Sequence, residues 1–266
     1  MTRAEFLKLI AAGALGVGAW PRLVTRGFAR PLTVSGAAPG DTTGQLWQPV
    51  PPLSAEPPSP TRFASSGPGL GNRIAITFDD GPTPGVTEKV LRELDRRNVS
   101  ATFFMIGRNA ERYPGLAREV ADAGHEIANH THTHPPLSAL SPARASHEMR
   151  QAQDVITTAT GRAPKWLRPP YGAFHREAQG PLARSLGLGV LYWSVDPRDW
   201  ARPGVNQIIN RVVSATVPGS IILNHDLHAQ TAQAVGAMLD RLLEKDFNFT
   251  RVSGFLGEPY GPYQAG

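Results

Sequence analysis

The feature that most constrains the fold is a change of texture near residue 71. From there to about residue 253, short apolar runs alternate with helical patterns. That alternation is the signature of βα units, whose strands pair in parallel beneath a cover of helices. Strands are expected at 73–78, 101–106, 125–128, 166–168, 189–195, 220–223 and 247–252. Between them lie helices with an apolar stripe, one over 86–97, where Val86, Val90, Leu91 and Leu94 share a face, and another over 230–243. The longest helix opens at Ser141-Pro142, a capping hydroxyl followed by proline where its missing N–H costs nothing, and ends at Gly161. Repeated units of this kind build either a barrel or a doubly wound sheet. Seven of them predict an α/β fold of the first kind, a deformed, incomplete (β/α) barrel of about seven parallel strands.

The remaining chain reads as extensions to one domain. At 266 residues with 41% hydrophobic side chains, there is material for one sizeable core and not for two. Arg3 and Lys8 precede a weakly apolar stretch over 9–20 that is too short to span a bilayer, so residues 1–29 read as a signal peptide or N-terminal anchor. Thr2 to Lys8 is similar to a twin-arginine export signal in which Ala4 replaces the second arginine. An extracytoplasmic location is expected, secreted or in the cell envelope, and peripheral or N-terminal membrane association is compatible with it. Residues 30–70, with Pro49-Val50-Pro51-Pro52 and Pro57-Pro58-Ser59-Pro60, read as a semi-extended Pro/Gly-rich linker. The domain is expected over 71–253 and a C-terminal tail over 254–266. The net charge of +5 is dispersed, with no basic cluster interleaved with aromatics, so nucleic acid is not an expected partner. Cysteine is absent, which excludes disulfides and thiolate metal sites and leaves histidine and carboxylate as the available strong ligands. A monomer is expected.

The unusual polar residues follow the strand ends. Asp79 and Asp80 come after the first expected strand, His130 and His134 after the third, Arg168 and Tyr171 at the fourth, Asp199 and Trp200 after the fifth, and His225 after the sixth, just past Leu223. In a parallel barrel these ends meet at one mouth, where such folds carry their chemistry. Each segment taken alone has a plainer explanation. Asp80-Gly81 is ordinary turn chemistry, Arg168-Pro169-Pro170-Tyr171-Gly172 is a rigid connection, and a single histidine at 225 is more often structural. Four of the eight histidines, at 125, 130, 132 and 134, fall within ten residues. Thr131, Thr133 and Pro135-Pro136 favour a loop or single turn there over a helix. Asp80 with His130 and His134 would give two imidazoles and one carboxylate, a set suited to Zn²⁺ or a similar divalent ion with open positions.

Taken in order, Thr77-Phe78-Asp79-Asp80-Gly81, His130 to His134, Arg168 to Gly172, Asp196 to Trp200, and Leu223-Asn224-His225 resemble the five motifs of the polysaccharide deacetylase family, also called the NodB-homology family or carbohydrate esterase family 4. The resemblance spans nearly all of 73–252. It implies a metal-dependent hydrolase that removes N-acetyl groups from a GlcNAc-type polysaccharide such as peptidoglycan or a chitin-like glycan. It implies Asp80, His130 and His134 as ligands of Zn²⁺, or Co²⁺, with Asp79 as catalytic base and His225 as catalytic acid. Arg168 would pair with and orient Asp79, and Asp199 would hold His225 charged. The backbone N–H of Tyr171 would face the oxyanion, while Tyr171, Trp200 and Leu223 would line the substrate pocket. His125 and His132 receive no role beyond structure or surface.

Three other readings stay open on the sequence. O-acetyl ester cleavage on xylan would use the same machinery. A non-catalytic glycan-binding module would use Trp193, Trp200 and Tyr171 as sugar platforms. A non-haem iron oxygenase also employs two histidines and a carboxylate, although usually on an all-β scaffold.

Overall fold

The structure, a computed structural model, describes residues 61–259. The expected signal peptide, most of the expected linker and the end of the tail lie outside the described residues. The strands are β1 (Phe63–Ala64), β2 (Arg73–Asp79), β3 (Thr102–Met105), β4 (Glu126–Asn129), β5 (Trp166–Leu167), β6 (Gly189–Leu191), β7 (Ile221–His225) and β8 (Asn248–Phe249). Seven of them run parallel in the order β1-β6-β5-β4-β3-β2-β7, and β8 pairs with the start of β2. Beyond β6, Val195 bridges to Ile222 on the far edge of β7, which curls the sheet toward closure. The fold is the deformed (β/α) barrel that the alternating texture predicts.

The helices are α1 (Thr87–Asp95), α2 (Gly107–Arg112), α3 (Pro114–Asp122), α4 (Pro142–Thr160), α5 (Arg176–Ser185), α6 (Val205–Ala215), α7 (Ala229–Leu243) and α8 (Val252–Leu256). In α4, Ser141 caps the first turn by accepting from the Arg144 N–H, and Gly161 ends the helix at φ 71°, a left-handed value that glycine adopts without penalty. Strand periodicity divides the core. Ile74, Ile76 and Phe78 of β2 point outward and pack with Val90, Leu94, Val235 and Leu239 from α1 and α7. The alternate residues point inward: Ala75, Phe104, Ala128, Trp166 and Ile221 fill the barrel, whose lower end is closed by Val252 and Phe255 of α8. Continuing the same period toward the C-terminal strand ends brings Thr77 and Asp79, His130, Arg168, and Leu223 and His225 onto the inner face. One geometric rule therefore both fills the barrel and delivers the mouth.

The structure differs from the expected domain edges on both sides. β1 lies within the stretch expected to be linker, pairing with Val190 and Leu191 of β6, and α8 crosses the expected boundary at residue 253. A two-residue strand and a five-residue helix are too short to leave a periodic pattern in a Pro/Gly-rich background. Over 189–195 and 247–252 the regular strands are shorter than expected, at three and two residues.

Candidate metal centre and active-site mouth

Four loops at the C-terminal strand ends carry strained backbone. Among the described residues, nine non-glycine residues have positive φ, and six of them, Asp80, Thr131, His134, Tyr171, Arg198 and Arg202, sit in the loops after β2, β4, β5 and β6. Each such residue costs about 1–3 kcal/mol and persists only where its surroundings fix it, a cost that concentrates at working sites.

The loop after β4 is an irregular bend rather than a helix. It brings His130 and His134 together with Asp80, so that one ligand atom from each lies within 4.8 Å of the others. Asp80 Oδ1 stands 3.4 Å from His130 Nε2 and 3.2 Å from His134 Nε2. The tautomer of His130 follows from its other nitrogen. Nδ1 lies 2.6 Å from the Arg168 carbonyl, so it must carry a proton and donate, which leaves Nε2, the atom facing Asp80, as the nitrogen that could bind a cation. The buried Asp80 Oδ1, which faces both Nε2 atoms, has no hydrogen-bond partner. Burial alone would raise the Asp80 carboxyl, but the charge and N–H groups of the two imidazoles when protonated outweigh it and hold the group well below the usual carboxylate range. Two nitrogens and one anionic oxygen converging this way fit a divalent cation such as Zn²⁺. The backbone carbonyl on His130 Nδ1 is the kind of outer partner that fixes ligand orientation.

Asp79 points the other way, into the barrel. Its Oδ1 accepts from Arg168 Nη1 at 2.7 Å, and both side chains are almost wholly buried. Arg168 Nη1 also donates to Thr77 Oγ1 at 2.7 Å and Nη2 to the Tyr192 carbonyl at 3.0 Å, while the guanidinium lies 4.1 Å from the Phe104 ring centroid. Asp79 Oδ2 remains directed at the mouth, 3.7 Å from His130 Nε2.

On the neighbouring strand β7, in register with Asp79, His225 is oriented by Asp199. Asp199 Oδ1 lies 2.7 Å from His225 Nδ1, and Oδ2 accepts the His225 N–H at 2.8 Å and the Thr231 hydroxyl at 2.7 Å. Burial disfavours the imidazolium, but the Asp199 hydrogen bond and charge, with Asp79 and Asp80 beyond, push His225 up to about 9. Trp200 and Tyr171 are both exposed at the mouth, the latter with its ring 4.8 Å from that of His134, and Leu223 is buried. Trp193 is half-buried beneath Gly172, which weakens it as an exposed sugar platform.

Several supporting residues receive no role from the sequence. Thr77 and Thr231 hold Arg168 and Asp199. Asp226 accepts from the Thr87 hydroxyl, which in turn accepts the Thr83 N–H, while the Asp226 N–H donates to the Asp79 carbonyl. It therefore fastens the Asp79-Asp80 loop to β7. Burial pushes its carboxyl up to about 7 against that hydroxyl bond. Gly81 is required at this contact, because a Cβ there would fall 2.1 Å from Asp226 Oδ2. Of these supporting residues, Thr77 alone could have been found, lying two residues before Asp79 on the same strand face. His125 is buried at the foot of β4, where burial and Arg251 hold it down to about 4, and His132 is buried facing Glu111.

The comparisons agree with this geometry. Residues 66–191 match the polysaccharide deacetylase family. The chain is 46% identical over 154 residues to a chitooligosaccharide deacetylase of Bradyrhizobium sp. (strain ANU 289), covering 58% of this chain and 70% of that one. It is 35% identical over 186 residues to the peptidoglycan-N-acetylglucosamine deacetylase PgdA of Listeria monocytogenes, covering 70% of this chain but only 39% of that longer protein. Among solved structures, the Bc1960 peptidoglycan N-acetylglucosamine deacetylase superposes with a TM-score of 0.70 at 32% identity, over 73% of this chain and 92% of that one. With the parallel barrel and its mouth, these matches show that the chain belongs to the polysaccharide deacetylase family, an enzyme family of metal-dependent hydrolases.

Proposed function

We propose that this protein removes N-acetyl groups from a GlcNAc-containing polymer of the cell envelope, with Zn²⁺ or a similar cation held by Asp80, His130 and His134. The observation that carries the reading is the placement of two differently partnered groups side by side on paired strands next to one metal-fit site: a carboxylate locked on Arg168 and an imidazolium locked on Asp199. When bound, the cation polarises the acetyl carbonyl and acidifies a neighbouring water.

The protein's own groups do the rest. Asp79, oriented through Oδ1, presents Oδ2 to take a proton from the attacking water. The Tyr171 N–H, turned by its left-handed backbone at φ 59°, donates to the developing oxyanion. His225 gives its Nε2 proton to the departing amine nitrogen, and Asp199 on Nδ1 stabilises the charged ring until it does so. Exposed Tyr171 and Trp200 offer faces for sugar rings, and buried Leu223 offers an apolar wall for the acetyl methyl. Action outside the cytoplasm follows from the basic-then-apolar N-terminus. The similarity to a chitooligosaccharide deacetylase and to a peptidoglycan-N-acetylglucosamine deacetylase supports a GlcNAc-type substrate.

The direct test is acetate release by the full chain, stripped of metal and then restored with Zn²⁺ or Co²⁺, on peptidoglycan, chitooligosaccharides and acetylated xylan in parallel. Metal-restored release from an N-acetyl glycan is expected, whereas release from xylan alone would make the protein an O-acetyl esterase. Asp79→Asn is expected to lower kcat by at least a hundredfold while zinc still binds, and His134→Ala to lose zinc and turnover together. Near-normal turnover of Asp79→Asn would remove Asp79 as the base. Because the acid must be protonated, kcat/KM is expected to fall as pH rises through the His225 value. A bound cation repels the imidazolium, so the limb should lie between the ordinary imidazole value and about 9. Asp199→Asn should move it toward lower pH, and an unmoved limb would assign it to another group.

A further inference from the structure

The loop that carries both histidine ligands runs through two left-handed residues, Thr131 at φ 66° and His134 at φ 63°. Such a path turns successive amides to one side and leaves them needing acceptors. Every amide from 131 to 134 finds one on a side chain. The Thr131 N–H donates to Asn129 Oδ1 at 2.8 Å, and the His134 N–H to Thr131 Oγ1 at 3.2 Å. The two between them both donate to Glu148 Oε2, His132 at 3.0 Å and Thr133 at 2.8 Å, while Glu148 Oε1 accepts the Thr133 hydroxyl at 2.7 Å. Two loop carbonyls are met as well. Gly107 N–H donates to the Thr131 carbonyl and Arg108 N–H to that of His132, an approach that needs glycine at 107 because a Cβ would lie 2.7 Å from His132 Nδ1. Glu148 and Asn129 both refer the loop to α4: Glu148 belongs to that helix, and Asn129 Nδ2 donates to the Met149 carbonyl and to Gln153 Oε1.

We infer that Glu148 is the positioning residue that sets the metal affinity of this site, by locking the His130–His134 loop in the strained conformation that brings the two imidazoles together. It touches neither substrate nor metal. Its carboxylate accepts three hydrogen bonds from two adjacent residues, and bonds to an ionised acceptor are about twice as strong as neutral ones. Without that acceptor, the two central amides of the loop lose their partner, and only the bonds from Asn129, Thr131, Gly107 and Arg108 oppose relaxation of Thr131 and His134 out of the left-handed region. The His130–His134 separation would then no longer be fixed.

The inference rests on the metal reading proposed above, and zinc titration of the full chain separates the two. Chelator competition gives the Zn²⁺ dissociation constant for the native protein, Glu148→Gln and Glu148→Ala. Glu111→Gln serves as a control, since that exposed carboxylate lies near His132 without touching the loop amides. Outer partners of metal ligands typically govern affinity by about 10–100-fold. Glu148→Gln, which keeps a neutral acceptor, is expected to bind about tenfold more weakly and Glu148→Ala about a hundredfold, with Glu111→Gln unchanged. Turnover of both Glu148 variants should return to near the native kcat at saturating zinc. Zinc affinity of Glu148→Gln and Glu148→Ala within twofold of native would overturn the inference and leave the metal reading standing. A loss of turnover that saturating zinc does not restore would also overturn it, assigning Glu148 to general scaffold. If Glu148→Ala does not fold, the near-isosteric Glu148→Gln decides alone. Native protein that binds no zinc would remove the metal reading and this inference with it.

Discussion

The buried ion pair between Arg168 and Asp79 is the interaction on which the rest of the mouth depends. Burial of the guanidinium pulls its pKa down, and the adjacent Asp79 carboxylate opposes that loss. Removing one member of such a pair strands the other and costs about 3–5 kcal/mol, more than most single contacts. The same residue joins four strand ends. Its N–H donates to Asn129 beside β4, its carbonyl accepts from His130, and its fork reaches Thr77 and Asp79 on β2 and Tyr192 beyond β6. The orientations of Asp79 and His130 are thus fixed by a single side chain and its own backbone.

Around that centre the protein keeps similar groups in different charge states by environment. Asp80 is held ionised by two imidazoles, His225 is held protonated by Asp199, and Asp226 is pushed toward neutrality by burial. An acid and a base can coexist across one cleft only under such separation. The backbone contributes in the same sense, since Asp80 occupies a left-handed conformation with its carbonyl held by Asn109, and Thr131 and His134 do so in a loop held by Asn129 and Glu148.

Much of this was legible in the sequence, and for physical reasons. The seven expected strands appear because each carries at least two inward or outward apolar residues, enough to signal burial. The five motifs lie where they do because strand period and parallel topology force their ends together. β1 and α8 escaped because they are too short for a period to repeat. The expected linker fails to extend to residue 70 for the same reason, as Phe63 and Ala64 already pair with β6. Glu148 and Thr231 were invisible for another cause. A single glutamate or threonine in an amphipathic helix has the same pattern as a solvated face, and only the fold reveals that its partner is a loop far away in sequence. Asp226 shows the limit from the other side: it adjoins His225, yet nothing in its neighbours says that it faces Thr87 and Gly81.

The central claim is that Asp80, His130 and His134 form one cation site beside Asp79 and His225. Crystals of the protein grown with zinc, measured above and below the zinc absorption edge, test it without reference to turnover. One anomalous peak is expected, within bonding distance of Asp80 Oδ1, His130 Nε2 and His134 Nε2 together. A peak elsewhere, or none at the three side chains despite zinc in the crystal, would contradict the metal centre and with it the division of labour built around it.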